Sequence, residues 1–172
     1  ITIALTGEVP PTAQADLNRV IHRFRTEAGL DVRQAEPGMR ASITMEFRSR
    51  RALGKLVPTA ACFVVPRVSS FEEYRANRSA PETDWTTVAL RQNVAIFAPS
   101  DTTPQEVRDC LHEELAQALG PLNDLYRLSD SVFNDDNFHS VLTGFDMLVL
   151  RAFYSPSLSS GMSKQQVQAR IG

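Results

Sequence analysis

A chain of 172 residues, 42% hydrophobic and 22% charged, has the length and composition of one globular domain able to bury its own core. Its 18 basic and 20 acidic residues leave a net charge of -2, which argues against a general nucleic-acid binder, since such proteins carry a basic excess or stripe. No apolar run approaches the ~20 residues that a membrane-spanning helix requires.

The numbering opens at Ile1 without a methionine, so a processed or trimmed product is expected. "ITIAL" reads as a strand. "PPTAQADLNRVIHRFRTEAGL" follows, with Leu17, Val20, Ile21, Phe24 and Ala28 at helical spacing and Gly29 near the end. His22 has no partner one turn away and reads as an exposed histidine. "ASITMEF", "AACFVVP" and "NVAIFAP" are short β-rich runs bounded by turn residues, and they join the first strand in a small sheet. Arg48, Arg50 and Arg51 read as a solvated turn, and the charged stretch 69–84 as a surface excursion. Beyond Phe97 the pattern turns helical. Strands in the first half and helices in the second imply one domain over 1–172, α+β or an α/β sandwich with the second half packed below the sheet, α+β being the expectation.

The sequence holds two cysteines, Cys62 and Cys110. They suit either one bridge in an oxidising compartment or two buried thiols.

In "TPQE", Thr103 takes the N-cap, Pro104 the first helical position and Glu106 the third, a capping box. Along this helix Val107, Leu111, Leu115, Ala118, Leu119 and Leu122 share one face. Glu106, Asp109, Glu113, Gln117 and Gly120 lie opposite, with Glu114 at the boundary. An amphipathic helix with a solvated acidic face, ended by Gly120 and Pro121, accounts for this pattern without any function.

The same residues can be set against the zinc motif H-E-x-x-H, in which ligands one turn apart hold a metal and the Glu serves as general base. Taken literally at His112 the motif fails, because Ala116 stands where the second ligand belongs. Shifted by one, Glu113, Glu114, Gln117, Gly120 and Asn123 occupy the positions of H-E-x-x-H-x-x-G-x-x-H. The base and the glycine are kept, and every ligand histidine is replaced.

In this frame the chain resembles the metzincin branch of zinc metallopeptidases in degenerate form. It also resembles a family of exported bacterial domains of unknown function with an "EELxQxLGxxND" helix. "DSVFND" is similar to the Met-containing turn of metzincins, with Phe133 in place of Met after Ser131 and Val132. "LTGFDMLVLRAFY" is similar to their closing helix, matching at Leu142, Thr143, Asp146, Leu150 and Tyr154. The resemblance implies a zincin-like fold: a small mixed sheet, an N-terminal helix, an active-site-type helix and a closing helix. It further implies Glu114 as the base position, Glu113, Gln117, Asn123 and Asp124 at the metal-site positions, and Gly120, Phe133 and Tyr154 as support for a cleft.

Simpler readings stand beside these matches. Thr143 with Asp146, and Ser163 with Gln166, are capping pairs, while Leu142, Phe145, Leu148 and Phe153 can serve as core. Asp135 and Asp136 lack the ligand spacing of a calcium loop, and His139 reads as a surface loop histidine.

Amide oxygens are poor zinc ligands, so zinc chemistry is expected to be lost and no cofactor is expected; the alternative is one divalent cation held by carboxylates. A pair of adjacent helical carboxylates diverges by about 100° and does not flank one bond as a metal-free glycosidase pair must. The expected function is therefore a non-catalytic or catalytically degenerate metzincin-like domain of the bacterial envelope, periplasmic, secreted or anchored, acting in binding or structure; as a binding domain it would take an extended peptide or protein at the sheet edge. Alternatives are an active metal-dependent peptidase with an atypical carboxylate and amide site, and an ordinary α+β interaction domain whose motif match is accidental.

Overall fold

The computed structural model describes residues 1–88, 93–122, 124–134 and 139–171. Its sheet contains β1 (Thr2–Gly7), β2 (Arg33–Gln34), β3 (Ile43–Arg48), β4 (Phe63–Pro66) and β5 (Val94–Pro99), in the order β2-β1-β3-β5-β4. All neighbours are parallel except β4, which runs antiparallel to β5 at one edge. The helices are α1 (Ala13–Thr26), α2 (Arg50–Gly54), α3 (Phe71–Asn77), α4 (Pro104–Leu119), α5 (Gly144–Phe153) and α6 (Lys164–Ile171). Strands and helices packed together in this mixed order make the domain α+β.

Alternation along the strands sorts side chains onto two faces. On one face Ile3, Ile43, Met45, Phe47, Val94 and Ile96 meet Leu17, Val20 and Phe24 of α1 and Val107, Leu111, Leu115 and Leu119 of α4. On the other, Ala95, Phe97 and Val65 meet Leu53 of α2 and Phe71 of α3. β5 is buried on both faces, which explains why "VAIFAP" is apolar throughout rather than alternating. Each large side chain fully buried in this way contributes roughly 1.5–3 kcal/mol of transfer free energy.

Several local expectations need correction. The 69–84 stretch is not simply an excursion. It contains α3, where Ser70 accepts from the Glu73 backbone N–H at 3.2 Å and Phe71 is buried. Two 3₁₀ turns, Pro81–Thr83 and Trp85–Thr87, follow. The arginine knot is likewise structured: Arg48 pairs with the buried Glu46 at 2.6 Å, and Arg50 pairs with Glu106. Only half of the box at α4 forms: the Glu106 N–H donates to Thr103 Oγ1 at 3.2 Å, but its carboxylate is taken by Thr102 and Arg50.

In α5 the predicted core is displaced around the helix. Asp146, Met147 and Leu150 are buried, whereas Phe145, Leu148 and Phe153 are exposed. The Thr143–Asp146 box is complete. Ser163 and Gln166 also cap one another, the Ser163 N–H donating to Gln166 Oε1 at 2.7 Å and the Gln166 N–H to Ser163 Oγ at 3.3 Å. No described helix is long and apolar enough to cross a membrane.

Candidate functional site

α4 crosses one face of the sheet, and its C-terminal half runs beside the edge strand β4. Cys62, immediately before β4, is joined to Cys110 of α4 as a disulfide with a Cα–Cα distance of 5.9 Å. The two walls are thus covalently tied. Between them lies a cavity of about 950 Å³ whose lining includes Phe63, Val64, Trp85, Glu113, Glu114, Gln117, Gly120, Asp124, Val149 and Phe153.

Glu113, Glu114, Gln117, Gly120 and Asp124 therefore share one cleft. Asn123, Asp135 and Asp136 lie outside the described residues. Glu113 and Gln117 are half-buried on the cleft wall. Glu114 is not at the boundary of the apolar face but is 4% exposed, because β4 and its neighbours cover a sector that a helical projection leaves open. Leu122, assigned to the apolar face, is half-buried and lines the cleft instead.

Burial pushes the Glu114 carboxyl well above its ordinary value, and the negative charges of Glu113 and Asp124 push it further. Its Oε2 has no hydrogen-bond partner among the described residues. Glu114 therefore keeps its proton to higher pH than an exposed glutamate does, burial being the main cause.

The remaining support comes from the C-terminal segment. Gly120 permits a close approach: a Cβ there would lie 2.2 Å from the Phe153 ring. The Tyr154 hydroxyl donates to the Leu119 carbonyl at 2.6 Å, satisfying one of the orphan carbonyls at the end of α4. Phe133 is in the core rather than on the cleft surface. Its turn is held by the fully buried Asp146, which accepts from Ser131 Oγ at 2.5 Å and from the Val132 N–H at 3.3 Å. The Phe133 carbonyl in turn accepts from the Leu125 N–H at 2.9 Å, next to Asp124.

The histidines lie elsewhere. His112 faces away from the cleft, where its Nδ1 accepts from the Leu142 N–H at 3.2 Å. Burial first, and then Arg23, lowers its pKa to about 4. It is a neutral core imidazole. His139 pairs with Asp130 at 3.2 Å, and His22 is exposed.

The zinc that the resemblance implies can be tested against these donors. The described cleft offers carboxylates and one amide but no imidazole or thiolate, and Gln117 stands where a second ligand would have to bind. Among the described residues no group of three or more His, Cys, Asp or Glu is placed to hold a metal ion. This donor set does not fit a zinc centre.

Trp85 was not foreseen as part of the site. Its indole Nε1 donates to the Val64 carbonyl at 3.3 Å, covering one outward-facing group of the β4 edge. The available signal was a lone tryptophan in a stretch of turn residues, where a ring of that size needs a surface to pack on.

Fold and site together define an α+β domain with an acidic-helix cleft closed against an antiparallel edge strand. The sequence matches, over residues 1–172, the family described as protein of unknown function (DUF2927), and the chain belongs to that family. No curated protein matches the sequence.

Proposed function

We propose that this domain is a metzincin-like scaffold that has given up zinc chemistry and binds an extended polypeptide segment in the cleft between α4 and β4. The reading is carried by one observation: Glu113, Glu114, Gln117 and Gly120, which stand at the peptidase motif positions, line a single cavity with β4. The disulfide supports an oxidising compartment, in keeping with a bacterial envelope location.

An extended segment added to β4 would use main-chain hydrogen bonds for affinity and the cleft for specificity. Trp85 already occupies the Val64 carbonyl, so binding must exchange that bond or run past it. As the sole tryptophan, Trp85 then reports occupancy through its fluorescence.

A metal-dependent peptidase is the second reading, favoured by the buried Glu114 carboxyl at the base position. Elemental analysis of protein purified without chelator, together with turnover of a peptide library by wild type and Glu114→Gln, separates the two. The binding reading expects substoichiometric metal, no turnover above background in either protein, and library peptides that alter Trp85 emission. About one metal per chain with turnover lost in Glu114→Gln would establish the peptidase instead.

A further inference from the structure

A second groove, of about 610 Å³, lies between α1 and β2 and shares no lining residue with the α4–β4 cleft. Asn18, His22 and Arg25 follow one another at successive turns of α1 and form one wall, while Arg33 and Gln34 of β2 form the other. Ile21, only 9% exposed, adds an apolar patch to the lining. Amides fix the two walls to each other: Gln14 and Gln34 exchange hydrogen bonds at 3.0 and 3.2 Å, and Gln14 also donates to Asn18 at 3.0 Å.

His22, Arg25 and Arg33 are basic and no lining residue is acidic, in a chain with 20 Asp and Glu against 18 Lys and Arg. The arginines of α1 divide into two kinds. Arg19 is tied to Asp16, and Arg23 clasps Glu27 through two nitrogens, each at 2.7 Å. Arg25 makes no side-chain hydrogen bond or ion pair among the described residues, and neither does Arg33 on the opposite wall. Glu27, the acid nearest to Arg25 in sequence, is already committed to Arg23. The groove thus holds two guanidiniums whose charge the fold neither neutralises nor uses.

We propose that this groove binds the phosphate of a phosphomonoester, gripped by Arg25 and Arg33 from opposite walls, with His22 as a further donor and the body of the ester lying over Ile21. The proposal is independent of the polypeptide reading of the α4–β4 cleft. A carboxylate balances only one of two guanidiniums. A phosphomonoester carries close to two negative charges at neutral pH and offers three acceptor oxygens, enough for both planar forks. A nucleic-acid strand presents singly charged diesters and is held by a longer basic track than one histidine and two arginines provide. The monoester belongs either to a small soluble molecule or to a lipid headgroup, and both present the same chemistry to the groove.

Calorimetry of the whole chain with glycerol phosphate, glycerate and glycerol tests this. Saturable binding of glycerol phosphate is expected, about tenfold or more tighter than glycerate, with no binding of glycerol. Arg25→Gln and Arg33→Gln should each weaken it about tenfold or more, whereas Arg51→Gln, which removes an exposed arginine outside the groove, should leave it unchanged. Because neither groove arginine holds a partner, both variants should melt with the wild type. Cosedimentation with phosphatidylcholine vesicles containing phosphatidic acid, lost in Arg25→Gln, would make the phosphate a lipid headgroup. Glycerol phosphate binding without cosedimentation would make it a soluble ester. The proposal falls if glycerate binds as tightly as glycerol phosphate, if Arg51→Gln weakens binding as much as Arg25→Gln, or if both folded groove variants bind like the wild type. It falls equally if neither glycerol phosphate nor the vesicles bind through Arg25.

Discussion

Tyr154 and Leu119 are joined across two helices: the phenol at the end of α5 donates to the last carbonyl of α4 at 2.6 Å. The bond fixes the mouth of the cleft, because Gly120 and Pro121 begin where α4 stops. Tyr154→Phe removes the hydroxyl and leaves the ring, so a loss of about 1 kcal/mol is expected in urea unfolding. An unchanged midpoint would show that water replaces the phenol without cost.

Gly120 and Phe153 share space that no other residue at 120 leaves. In Gly120→Ala the new methyl must displace the Phe153 ring, which is partly exposed and able to swing outward. The expected cost is about 1 kcal/mol or somewhat more. In a Phe153→Ala background the same substitution should cost little. A double-mutant cycle with no coupling would refute this contact.

Glu114 makes stability depend on pH in an unusual direction for an acid. The folded protein retains its proton at pH values where the unfolded chain, with an ordinary value of 4.5, has lost it. The stabilisation is complete below 4.5 and is lost as pH rises through the folded value. Glu114→Gln abolishes that loss. Urea midpoints of wild type and variant should diverge as pH rises from 4.5 to 8, with the variant the more stable; parallel curves would contradict the burial.

His112 acts with the opposite sign. Below pH 6.5 the unfolded chain binds a proton that the folded protein refuses until about pH 4, so stability falls as pH drops through that window. The gap corresponds to at most about 3 kcal/mol. His112→Gln keeps an acceptor near the Leu142 N–H and should flatten the acid limb of the stability curve. An acid limb equally steep in the variant would place the effect on other groups.

Much of this was legible in advance, and the failures have physical causes. α1 and α4 announced themselves by period, because each buries one regular stripe of side chains, and β3, β4 and β5 by short β-rich runs between turn residues. β2 is two exposed residues, Arg33 and Gln34, and carries no apolar pattern to detect. α3 hid among charges, although Ser70 three residues before Glu73 is a helix-start signature. Glu114 was misplaced because a helical projection knows the helix but not the strand that covers it. Trp85 reaches the cleft from a turn, a placement that only the tertiary fold determines.

Reduction of the Cys62–Cys110 bridge should cost up to about 4 kcal/mol on loop-closure grounds, for cysteines 48 residues apart. The paired Cys62→Ser and Cys110→Ser variant should melt lower and show altered Trp85 emission, since the cleft walls lose their tie. Emission identical to wild type would mean that packing alone sets the cleft width.

Asp146 imposes an order on assembly. Its carboxylate, contributed by the first turn of α5, organises the turn at Ser131 and Val132, and through Phe133 that turn anchors the backbone beside Asp124. On a ribosome delivering the chain from its N-terminus, the sheet and α4 emerge first, while the turn at Ser131 and Val132 lacks its carboxylate acceptor until residue 146 has appeared. A nascent chain halted just short of that point would present a nearly complete sheet and helix with an unformed rim.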